Sequence, residues 1–186
     1  MEETKIETKG IDGLLEWIDA KKVLVFVQEP FNCGPNPETA RGIAYELNRK
    51  GCEAKAIIKL TDYHSINYDI TYIAFFDDSG DTILQNSFEF MKNMMIKSVD
   101  AIVYVAGGTV EPGDIAANYR EFVDGVGVEK VFLCLDTRET DSLISTLDAI
   151  EKESQRTGKD YTPKVLINTN RKDNQRLIFG EALLHH

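Results

Sequence analysis

Cysteine is scarce: Cys33, Cys52 and Cys134 lie far apart, and no Cys-x-x-Cys pair exists. A zinc ribbon and a disulfide framework therefore have no support. No apolar run approaches the ~18 residues a membrane helix needs, and residues 1–10 are too polar for a signal peptide. Basic residues are few, 21 against 31 acidic ones, for a formal net charge of −10. Such a surface repels phosphate backbones, and the basic cluster Arg171, Lys172 and Arg176 is interleaved with Asp173 and reads as a solvated helix face. These shortages lead us to expect a reduced, cytoplasmic setting, no membrane, no nucleic-acid partner and no metal site. Of the three histidines, His185 and His186 end the chain as an expected tag remnant, which leaves His64.

Hydrophobic residues make up 42% and charged residues 28% of 186, enough to bury the core of one domain spanning 1–186. The largely apolar runs are Val23–Val27, Ala54–Leu60, Ile70–Phe76, Ala101–Val105, Val131–Leu135 and Lys164–Ile167. They are short, β-branched or aromatic, and apolar on both faces, which suits strands buried between two helical layers. Between them run amphipathic stretches. Ala40, Ile43, Ala44 and Leu47 recur at helical spacing, with Asn36 as N-cap, Pro37 at the first helical position and Gly51 as a stop. Further stripes are Leu84, Phe88, Met91 and Met95; then Ile115, Tyr119, Phe122 and Val123; then Leu143, Leu147 and Ile150, closed by Gly158. Ile11, Leu14, Leu15 and Ile18 predict a short N-terminal helix over 11–20. The segment 77–81, Asp-Asp-Ser-Gly-Asp, reads as a turn because no bidentate Glu follows at calcium-loop spacing. The alternation predicts a Rossmann-like α/β fold, an open, mostly parallel sheet of about six strands with helices on both faces.

In such sheets ligands bind beyond the carboxyl ends of the strands. The first candidate loop, residues 28–36, carries Gly34 and leads to Asn36, where a helix N-terminus offers unpaired N–H groups. Yet the loop lacks Gly-x-Gly-x-x-Gly, Pro35 and Pro37 remove two donors, and Glu29 adds negative charge. Asp62, just past the second run, stands where an acid could hold a ribose. Gly107 and Gly108 follow the fourth run and either admit a ligand to the backbone or make a tight turn. Gly34, Asn36, Asp62, Gly107 and Gly108 are thus the candidate cofactor-binding positions. Asp136, Thr137 and Arg138 complete the rim. Cys33 precedes a helix N-terminus that would favour its thiolate, but spacing gives it no base, and a loop cysteine and a hydrogen-bonded His64 are the plainer readings. No residue is assigned as catalytic.

Lys22-Val23-Leu24-Val25-Phe26, then Ala40-Arg41-Gly42-Ile43-Ala44-Tyr45-Glu46-Leu47 and Gly51, resemble the opening of a short-chain dehydrogenase. So does Val99-Asp100-Ala101-Ile102-Val103-Tyr104-Val105-Ala106-Gly107-Gly108, although only Ala106-Gly107 of the family's Asn-Asn-Ala-Gly motif is present. Asp141-Ser142-Leu143-Ile144 and Pro163 to Asn170 are similar to the structural, non-catalytic subdomain of polyketide synthase ketoreductases. The family's Tyr-x-x-x-Lys is absent: Tyr45 is followed at that spacing by Arg49, and Tyr161 by Lys164 one position too soon. Without the lysine the tyrosine keeps an ordinary pKa and loses its role as an acid. The resemblance implies a scaffold module with no cofactor that docks a neighbouring catalytic domain or another protein. An exposed apolar patch is expected where that partner packs. The alternatives are an NAD(P)-dependent oxidoreductase and a nucleotide- or sugar-phosphate-binding enzyme.

Overall fold

The computed structural model describes residues 7–9, 14, 17–29, 36–60, 72–75, 93, 94, 96–106, 111–136 and 140–168. Seven strands form one sheet: β1 (Glu7–Lys9), β2 (Lys22–Glu29), β3 (Glu53–Leu60), β4 (Tyr72–Phe75), β5 (Ala101–Ala106), β6 (Val131–Asp136) and β7 (Lys164–Asn168). Every pairing is parallel, and the order across the sheet is β1-β7-β6-β5-β2-β3-β4. Among the described residues the helices with both ends defined are α1 (Asn36–Arg49), α2 (Pro112–Val126) and α3 (Thr140–Thr157). The expected α/β architecture is therefore present, with one strand more than the apolar runs indicated.

Alternation along the strands divides the core in two. Leu24, Phe26, Ile102, Tyr104, Leu133 and Val165 face one way and pack under Ile115, Tyr119 and Phe122 of α2 and Ile150 of α3. Val23, Val25, Val27, Val103, Val105 and Phe132 face the other way, under Ala40, Ile43 and Leu47 of α1 and the helical residue Leu14. Both faces of the central strands are covered, so their uninterrupted apolar runs are what burial requires. Steps from β1 to β2 and β2 to β3 cross the sheet in one direction with their helices on the second face. Steps from β4 through β7 run the other way with Ile96, α2 and α3 on the first face. All these connections share one hand, as strand twist demands of parallel crossovers.

The expected stops hold. Gly51 (φ 99) follows α1 and Gly158 (φ 71) follows α3, both in a region that side chains with a Cβ avoid. Asn48 then ties the end of α1 to β3: its Nδ2 donates to the Ala54 carbonyl at 3.0 Å while its Oδ1 accepts from Ala54 N at 2.8 Å. The N-terminal helix closes on an Ile18 N to Leu14 O bond of 2.9 Å, and residues 18–20 lie beyond it, earlier than the pattern suggested. Helical residues at 93, 94 and 96–98 mark the end of the second stripe, whose Leu84, Phe88, Met91 and Met95 lie outside the described residues, as does the 77–81 turn. No described helix is long and apolar enough to cross a membrane. Among the described residues the large exposed apolar side chains are Tyr45 on α1, Met94, and Ile144 on α3; α1 and α3 cover opposite faces, which separates Tyr45 from Ile144.

Candidate functional site at the strand-order reversal

Numbering the strands from β2 onward as one to six gives the order 3-2-1-4-5-6, with β1 appended beyond the sixth. Chain direction across the sheet reverses between β2 and β5, which lie side by side with Val27 opposite Val105. At a reversal the connections from adjacent strands leave to opposite faces, and a crevice remains between them. Here the chain after Glu29 leads to α1 on one face, and the chain after Ala106 leads to α2 on the other. Two helices thus begin beyond the carboxyl ends of neighbouring strands, and each brings the partial positive charge of its first turn.

Of the candidate positions, Asn36 is the first residue of α1. Gly34, Asp62, Gly107 and Gly108 lie outside the described residues, as do Cys33, His64, Thr137, Arg138 and the cluster Arg171, Lys172 and Arg176. Strand order nevertheless groups their points of departure. The Gly34 stretch leaves β2, the Gly107–Gly108 stretch leaves β5 beside it, and the Asp62 stretch leaves β3 on the other side of β2.

The best-defined wall is the start of α2. Glu111 is its extended N-cap (φ −65, ψ 141) and makes no side-chain cap bond; its carbonyl accepts from Asp114 N and Ile115 N, each at 3.0 Å. Pro112 occupies the first turn, where its missing N–H costs nothing. A Cβ on Gly113 would meet nothing within 4 Å, so no packing demands glycine there. Gly113 belongs to the stretch after β5 that the sequence marks as a candidate loop, and the strand order places this turn at the reversal.

In the strands and under α2 the chemistry is quiet. Tyr104 of β5 is fully buried, and its hydroxyl accepts from Asn118 Nδ2 at 3.2 Å. Burial drives its pKa upward, Asn118 opposes this weakly, and the Asp114 charge adds to the rise, so it stays protonated. Burial also pushes the Cys134 thiol up to about 12, too high for a nucleophile. Tyr161 is buried with its hydroxyl on Asp124, while the Lys164 ammonium sits on Glu129, so these two do not act as a pair. Among the described residues no three His, Cys, Asp or Glu side chains converge as a metal would require.

No protein-family model matches the chain, and no curated protein sequence matches it. Among solved structures it is similar to an alpha-glucosyltransferase in complex with UDP and a 13-mer DNA containing a central A:G mismatch, at TM-score 0.47 and 12% identity over 78% of this chain. The chain spans 40% of that protein's length. It is also similar to a Klebsiella pneumoniae protein described as a quinone reductase, at TM-score 0.45 and 12% identity, over 88% of this chain and 83% of that one. At such identity the shared property is the α/β nucleotide-fold-like architecture. The expectation of no nucleic-acid partner is withdrawn: a net charge of −10 summed over the chain does not decide what a local surface attracts, and one of these similar structures is itself a DNA complex.

Proposed function

We propose that the chain binds a small phosphorylated ligand of the nucleotide or sugar-phosphate class over the β2–β5 reversal. The observation that carries this is the full 3-2-1-4-5-6 order, which directs the first turns of α1 and α2 to one crevice. The helix N-termini supply partial positive charge for phosphate. The expected acid just past β3, Asp62, would supply an acceptor for ligand hydroxyls. If the activity is that of an oxidoreductase, the ligand is NAD(P). Cys52 and Cys134 are free thiols, in keeping with a reducing, cytoplasmic setting.

A second reading is a non-catalytic module that docks a partner, as the ketoreductase structural subdomain does. It is favoured by the acids at the start of α2, Glu111 and Asp114, which oppose an anion.

Thermal denaturation with NADPH, NADH, flavins and common nucleotides separates the two. A ligand at about 100 times its Kd stabilises the fold by about 2.7 kcal/mol. Gly113→Glu gives the control: a carboxylate in the first turn of α2 raises or preserves the stability of the free protein, by about 0.3–1 kcal/mol, while repelling phosphate. The proposal expects a shift with at least one ligand and its reduction in Gly113→Glu. No shift across the panel overturns it in favour of the partner-docking module.

A further inference from the structure

At the opposite, amino-terminal end of the sheet lies a depression of about 580 Å³, within the size range of small-molecule sites. Its floor is apolar: Trp17, Ile18, Ala101 and Phe132. Trp17 is half-buried and stacks on the buried Phe132 with ring centroids 5.9 Å apart. The Lys164 ammonium stands 5.6 Å from the Phe132 centroid and bonds Glu129, so this rim acid is already neutralised.

The rest of the rim is not. Asp19, Lys21, Asp100 and Lys130 line the opening and form no salt bridge among the described residues. Asp100 is held in place, because its Oδ2 accepts from Lys22 N at 3.1 Å. Two exposed carboxylates and two exposed ammonium groups around the half-buried Trp17 complement a ligand that carries both charges next to an apolar body. We infer that this depression binds a free apolar α-amino acid. The ligand's ammonium meets Asp19 and Asp100, its carboxylate meets Lys21 and Lys130, and its side chain rests on Trp17, which Phe132 backs. The site does not depend on the switch-point reading.

Trp17 is the one tryptophan of the chain, so its emission reports the depression directly. The full chain is titrated with L-phenylalanine and L-leucine, excited at the red edge of the tryptophan band, alongside phenethylamine and 3-phenylpropionate, which lack the carboxylate and the ammonium. The expected result is a saturable emission change with both amino acids and binding at least about fivefold weaker for each truncated ligand. Asp100→Asn keeps an acceptor for Lys22 N and is expected to weaken the amino acids about fivefold with an unchanged melting temperature. No saturable change up to about 10 mM, or equal binding of the truncated ligands, overturns the inference.

Discussion

The Tyr161 hydroxyl donates to Asp124 Oδ1 at 2.8 Å, tying the approach to β7 to the last turn of α2. Its counterpart on α2 differs: the Tyr119 hydroxyl is buried and has no hydrogen-bond partner among the described residues. A buried hydroxyl without a partner costs about 1–3 kcal/mol, whereas a satisfied one contributes roughly 1 kcal/mol. Tyr119→Phe is therefore expected to leave stability unchanged or raise it, and Tyr161→Phe to lower it by about 1 kcal/mol. Urea denaturation of the two variants checks this, and a larger loss from Tyr119→Phe would reverse the assignment.

Gly125 lets α2 approach Ile96. A Cβ there would lie 2.6 Å from Ile96 Cγ2, the branched methyl of a buried side chain that cannot swing away. Gly125→Ala is expected to destabilise by about 1–3 kcal/mol despite alanine's higher helix propensity. Pairing it with Ile96→Ala should recover part of the loss, and simple additivity in this double-mutant cycle would show that the two residues do not meet.

Glu153 on α3 joins Arg156 and Arg120, accepting at 2.7 Å and 2.9 Å on the same oxygen. The hydrogen bond from Arg156, then that from Arg120, holds its pKa below the ordinary carboxylate value. A depressed pKa in the folded state contributes stability above the unfolded value of about 4.3, and this is lost as pH falls through the folded value. Asp160, lowered by the Thr162 backbone N–H, titrates in the same sense. The denaturation midpoint is expected to decline below about pH 4.3, and less steeply in Glu153→Gln. Parallel acid limbs for the two proteins would remove Glu153 from the account.

Cys134 is 1% exposed within β6 while Cys52 is partly exposed after α1. With its thiol raised to about 12, Cys134 holds almost no thiolate at neutral pH. Maleimide labelling of native protein followed by peptide mapping is expected to modify Cys52 well before Cys134, and denaturant should abolish the difference. Equal native rates would contradict the burial of β6.

Most of this fold was legible because burial on both faces writes itself into each central strand, as Val23–Val27 and Val131–Leu135 illustrate. The edge strand β1 was not legible. Glu7, Thr8 and Lys9 are polar, and backbone pairing to Lys164, Val165 and Leu166 places them. The candidate site was legible only as separate stretches: composition identifies the residues after β2 and β5, but their adjacency follows from strand order, a long-range property. The amino-terminal depression left no signal at all, since Trp17 and Phe132 meet only when the crossover before β2 lies across β6.

Pairing of β1 with β7 has a consequence for the order in which the chain assembles. β2 finds its neighbours only when β3 and β5 have been made, and Glu7–Lys9 has none until Lys164–Leu166 exists. Such non-local pairing slows folding, because distant segments must close before they are rewarded with contacts. β1 is therefore expected to be seated last. Pulsed hydrogen exchange during refolding should protect the β1 amide that pairs with β7 after those of β2 and β5, and its early protection would refute that sequence of events.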